Sequence, residues 1–152
     1  MPVSSTVRLE RVEYDAHAYF SGKLVIEGTW VIDCNSLACE PGENEERLHV
    51  SLIPNSATIA RLPRWKLHNN DIRIDLIDAD RFIRSVTTID ERKRLLAGRL
   101  RDIRGHAALL VDRYEAGLDC DSANYSARFV AVAEVAKRAN LPTDGNYGCG
   151  YA

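Results

Sequence analysis

The sequence predicts an α+β fold, mostly β, whose strands curl into a small barrel. Three observations point to it. Apolar and polar residues alternate in several short stretches, the pattern of strands with one face buried. Gly22 and Gly28 interrupt an otherwise strand-rich stretch, where barrel strands bend or bulge. One well-capped helix falls late, before the last strands. Counted together these give five or six strands and one short helix, the content of a small OB-like barrel; a flat α+β sandwich is the alternative.

In chain order, residues 1–6 form a loose lead-in. Residues 7–14 alternate imperfectly, and Arg8, Glu10, Arg11 and Glu13 suit the solvated side of an edge strand. Residues 16–33 are rich in aromatic and β-branched side chains and read as strand. Residues 34–46 form a polar loop closed by Pro41-Gly42. Leu48, Val50 and Leu52 alternate with His49 and Ser51 until Pro54-Asn55. Residues 57–68 are mixed, and Pro63 discourages a long helix. After the turn residues Asn69, Asn70 and Asp71, Ile72, Ile74 and Leu76 alternate with Arg73 and Asp75 as a half-buried strand. Residues 88–97 are the predicted helix: Thr88 caps it, Glu91 completes a capping box, and Gly98 ends it in a left-handed residue.

Residues 95–117 read as the spine of the fold. Leu96, Gly98 and Leu100 suit a strand that competes with the helix end. Asp102-Ile103-Arg104-Gly105 offers a reversal, and residues 107–111 a strand buried on both faces. A polar loop is expected at 118–124, an alternating strand at 125–133, a last helical turn over 133–139 stopped by Asn140 and Pro142, and an irregular tail. Ser21-Gly22-Lys23-Leu24 with Gly28 and Asp33 echoes Ala97-Gly98-Arg99-Leu100 with Gly105 and Asp112, as if one bent hairpin were used twice.

A chain of 152 residues is the size of one domain, here expected to span 1–152 with loose ends at about 1–6 and 143–152. No run approaches the roughly 20 apolar residues of a membrane helix. The first residues lack the basic segment and apolar core of a secretory signal, which points to the cytoplasm. Cys34, Cys39, Cys120 and Cys149 sit in polar, loop-like settings and would suit an exported or periplasmic protein if they form disulfides. A net charge of −2 excludes whole-molecule attraction to nucleic acid. The charges are nonetheless uneven, acidic around residues 40–46 and basic over 61–104.

The sequence carries no nucleophile elbow, phosphate loop, dinucleotide fingerprint or paired-histidine zinc motif, so no cofactor, metal or catalytic residue is assigned. The reading this favours is a non-catalytic small binding protein of inhibitor, immunity or assembly-factor type. Its partner protein would be recognised through acidic loops bearing Glu40, Glu43, Glu45, Glu46, Asp119 and Asp121, since charged loops give specificity and fast association. The alternative is single-stranded nucleic-acid binding by an OB-type barrel, with Arg73, Arg99, Arg101 and Arg104 on phosphates and Trp65 as a stacking platform. A second alternative is a metal-dependent enzyme drawing on Asp112, Asp119, Asp121 or His106, although Ala123 and the lack of a following glycine break a calcium-loop pattern.

Overall fold

The computed structural model describes residues 7–34, 45–63, 72–119, 122–139 and 145. Its strands are β1 (Arg8–Glu13), β2 (His17–Ser21), β3 (Lys23–Cys34), β4 (Leu48–Pro54), β5 (Ile74–Ile77), β6 (Ile103–Asp119) and β7 (Ser122–Arg138). Helices α1 (Ser56–Ile59), α2 (Asp80–Val86) and α3 (Ile89–Leu96) lie between β4 and β6, and a 3-10 turn, Glu45–Arg47, leads into β4. The sheet runs β1-β2-β6-β3-β4-β5-β7, and β7 also pairs with β6. The ring β6-β3-β4-β5-β7 is therefore a closed five-stranded barrel, consistent with the OB-like barrel expected from the sequence. All pairings are antiparallel except β5 with β7. The hairpin β1–β2 is an addition to the barrel, attached where β2 pairs with residues 115–117 of β6.

Alternation supplies the core. Ile26, Trp30 and Ile32 of β3 point inward with Val50 and Leu52 of β4, Ile74 of β5, and Leu109 and Val111 of β6. From α2, Phe82 meets Trp30 edge-on at 5.5 Å and Phe129 at the same distance, so the helix inserts an aromatic between two barrel walls. Tyr114 packs beside Phe20 and Tyr125. Its buried hydroxyl finds no hydrogen-bond partner among the described residues, and burial pushes its pKa above the ordinary tyrosine value.

The helix expected at 88–97 is α3, and its capping box is complete. Thr88 Oγ1 accepts from Glu91 N at 3.1 Å, and Thr88 N donates to Glu91 Oε1 at 2.9 Å. Gly98, at φ 71°, follows its end as expected. That outcome removes the hairpin expected between 96 and 111. Leu95 and Leu96 bury themselves as helical residues, and Asp102 to Gly105 form no reversal, because Ile103 already begins β6. The chain turns back after Asp119 instead. The strand at 107–111 is present, with Ala107, Ala108, Leu109 and Val111 buried.

Three further expectations are corrected. The loop at 118–124 is mostly strand, with only residues 120 and 121 between β6 and β7. Residues 134–138 extend β7 rather than forming a helical turn, because β6 offers them a ladder: Gly105 faces Arg138 and His106 faces Lys137. The proposed internal repeat is not structural, since Gly22 joins β2 to β3 whereas Gly98 ends a helix. The lead-in at 1–6 lies outside the described residues, as does the tail at 143–152 apart from residue 145.

Two glycines do let the barrel close. A Cβ on Gly28 would collide with the Ile53 carbonyl, and one on Gly105 with the Lys137 carbonyl and the Trp30 indole. The ladder between β6 and β7 is also irregular, with register shifts at four places, and Arg113 takes φ 48° at one of them. Such bulges coil a long hairpin enough to wrap a small barrel. Gly105→Ala is expected to lose about 2–3 kcal/mol from overpacking. Chemical denaturation followed by circular dichroism checks this, and a loss below about 0.5 kcal/mol would show that the walls are not in contact there.

Candidate functional site

The outer wall of β3 and β4 carries the polar chemistry. Three register pairs lie along it: Thr29 with Ile53, Val31 with Ser51, and Asp33 with His49. At one end, His49 bridges two carboxylates, with Nδ1 3.5 Å from Asp33 and Nε2 3.2 Å from Asp75 on β5. Hydrogen bonds to Asp33 and then Asp75 raise the imidazole pKa to about 9 against the opposing effect of burial, so His49 is a cation at neutral pH. In the middle, Arg73 Nε donates to the buried Ser51 Oγ at 2.8 Å, and its guanidinium stands 3.9 Å from Asp33. Arg104, opposite Val31, is held by Asp102 at 3.1 and 3.2 Å.

At the other end the wall opens into a groove of about 390 Å³. Its floor is Gly28, Ile53, Pro54, Ala107 and Ala108, and its rim is Glu27, Thr29, Asn55, His106, Glu134 and Lys137. Gly28 lets the β4 backbone come close at this floor. Hydrogen bonds tie the walls together: Asn55 N donates to the Glu27 carbonyl at 2.9 Å, and Asn55 Oδ1 caps α1 by accepting from Thr58 N at 2.9 Å. Thr58 Oγ1 in turn accepts from Glu27 N at 3.3 Å. His106 Nδ1 lies 3.4 Å from Thr29 Oγ1.

The residues singled out in the sequence are distributed differently. Glu45 accepts from Arg84 at 2.8 Å and from Arg92 at 3.1 Å, which ties α2 and α3 to the start of β4. Arg92 is only 7% exposed and also donates to the Thr87 carbonyl at 3.0 Å, so Glu45 neutralises a buried cation. Glu46 is likewise not without a partner. Asp119 ends β6, while Glu40, Glu43 and Asp121 lie outside the described residues. Arg73 and Arg104 do reach one wall, but both are engaged by acids. Arg99 is exposed, Arg101 stands 4.0 Å from Asp102, and Trp65 lies outside the described residues.

Asp112 grips Arg128 through two contacts, at 2.8 and 2.5 Å, and that guanidinium lowers its pKa. His106 is six positions away on β6, about 20 Å in extended chain, so it does not meet Asp112. Among the described residues no three His, Cys, Asp or Glu side chains gather as metal ligands. Cys34 is a free thiol and half-buried, and burial raises its pKa. The other three cysteines lie outside the described residues. Among the described residues no helix is long and apolar enough to cross a membrane. No protein-family model, curated protein or solved structure matches the chain.

The His49 bridge gives a test with a defined sign. Its pKa is raised from 6.5 to about 9 on folding, so its stabilisation is complete below pH 6.5 and is lost as pH rises through about 9. His49→Gln is therefore expected to destabilise the protein at pH 6, with the gap to wild type closing by pH 10. Urea midpoints of both proteins at pH 6, 8 and 10 check this. A gap that is constant with pH would remove the charged bridge.

Proposed function

We propose that this chain is a non-catalytic binding protein that holds a segment of a protein partner in the groove between Ile53 and Lys137. The observation that carries the reading is the groove's make-up: an apolar floor rimmed by both signs of charge, on walls fixed by strands and a helix cap. Interfaces of this kind combine a desolvated centre with a polar rim. Glu27 and Glu134 on the rim would repel a phosphate backbone, and Arg73 and Arg104, which a nucleic-acid reading needs, already face Asp33 and Asp102. A reaction would need its acid, base and substrate within hydrogen-bond reach, whereas His106 and Asp112 stand far apart on β6. Glu45 is already occupied by Arg84 and Arg92, which favours this wall over that residue as the contact surface.

Ile53 is the exposed large apolar residue among those lining the groove. Ile53→Arg is expected to weaken partner binding at least tenfold, about 1.4 kcal/mol, without lowering the thermal midpoint. Affinity capture from the native host, wild type beside variant, should yield one near-stoichiometric protein that the variant loses. A partner held equally by Ile53→Arg would overturn the groove. Capture of single-stranded DNA or RNA that disappears with moderate salt would replace this reading by the nucleic-acid one.

A further inference from the structure

Beyond the groove, and independent of it, we propose that the chain forms a two-fold dimer in which β1 pairs antiparallel with β1 of a second copy. Among the described residues β1 is the end strand of the sheet, with no strand on its outer edge. Five of its six residues are exposed. Exposed edges are templates for another strand, and natural proteins usually blunt them with charge. Here the charges have an order. Read against itself in reverse, Arg8-Leu9-Glu10-Arg11-Val12-Glu13 places Arg8 opposite Glu13, Leu9 opposite Val12, and Glu10 opposite Arg11. Every pair is complementary. A slip of one residue either way puts Glu10 or Arg11 against its own copy, and a slip of two puts Arg8 against Arg11 or Glu10 against Glu13. Like charges directly opposite each other destabilise a ladder.

The backbone of β1 suits this register. In a regular strand residues an odd number of positions apart point to opposite faces, so Leu9 and Val12 could not meet across a two-fold axis. Strand β1 is not regular. Leu9 pairs with Phe20 and Arg11 with Tyr19, so a bulge between them leaves Glu10 without a β2 partner. The extra residue restores the face: Leu9 stands beside the buried Phe20, and Val12 beside the buried Ala18. Arg8 and Glu13 share the other face by the same shift, with Arg11 stacked over the Tyr19 ring at 4.2 Å and 3.4 Å from Glu13, an exposed pair that costs little to exchange for one across the axis. Leu9 and Val12, now 53% and 38% exposed, would continue the apolar stripe from one copy into the other. The axis would pass through the bulge, where Glu10 and Arg11 of each copy face Arg11 and Glu10 of the other.

A contact of six residues per chain is below the standard interface size of about 1,600 Å². The dimer should therefore dissociate in the micromolar range and weaken as salt screens its exposed charge pairs. Sedimentation velocity across concentrations tests the proposal with a reciprocal pair of variants. Glu10→Arg sets like charges on both sides of the axis, as does Arg11→Glu, so each alone should be monomeric. Mixed in equal amounts they should form a heterodimer, because the introduced charges face each other. Far-UV circular dichroism and thermal midpoints confirm folding, and Arg8→Glu with Glu13→Arg is the equivalent pair if Arg11→Glu does not fold. Concentration-dependent dimerisation of the wild type, loss in each single variant and recovery in the mixture is the expected result. A wild type that stays monomeric to several hundred micromolar, a Glu10→Arg dimer as tight as wild type, or no recovery on mixing would each overturn it.

Discussion

One strand has to satisfy three others. On one edge β6 bonds to β3 from Ile103 to Asp112 and then to β2 from Glu115 to Gly117, while its other edge bonds to β7 along nearly its whole length. Closure of the barrel and attachment of the β1–β2 hairpin both pass through it. A straight strand of seventeen residues could not wrap so small a ring. The register shifts against β7, the left-handed residue at Arg113 and the bare backbone of Gly105 bend it, and Trp30 and Phe82 then fill the space those bends enclose. The interior is thereby a core, and recognition is left to the outer walls and edges.

The charged residues divide along the same line. Several that look like a solvated basic face in the sequence hold the helices to the barrel. Glu91 completes the α3 cap and takes Arg138 at 3.0 and 2.8 Å, which lowers its pKa and pins the end of β7. Glu45 does the same for α2 and α3 through Arg84 and Arg92. Replacing the carboxylate at the buried Arg92 would leave a cation without its counter-charge, a larger cost than an exposed pair is worth. Such clamps account for Glu45, Arg84 and Arg92 without any ligand.

What the sequence made legible was local. Alternation located β4, β5 and most of β7, and the Thr88–Glu91 box located α3 to within a residue. Residues 96–105 misled because a helix end, a left-handed glycine and a strand start have the composition of a hairpin. Residues 133–139 misled because Ala, Glu and Lys favour helix until a partner ladder outweighs propensity. The groove was illegible for a different reason. Glu27, Ile53, His106 and Glu134 come from four strands, and only the pairing register, which no single sequence displays, brings them together. The one available hint was that alternation in β4 sends His49, Ser51 and Ile53 outward together.

The two proposed surfaces sit at opposite ends of β6: the groove takes residues 106–108, and the hairpin that carries the β1 edge attaches at residues 115–117. Pairing through β1 would therefore cover neither groove, and a two-fold axis would present two of them on one body. A groove of about 390 Å³ offers limited contact to any one segment. Once one groove of a pair is filled, a second segment on the same partner, or a partner that is itself two-fold, binds from a locally raised concentration, provided its spacing matches. The bulge at Glu10 thus has consequences beyond β1. By setting which face Leu9 and Val12 share, it sets whether the edge is closed to other chains or open to its own copy, and with that whether each groove acts alone.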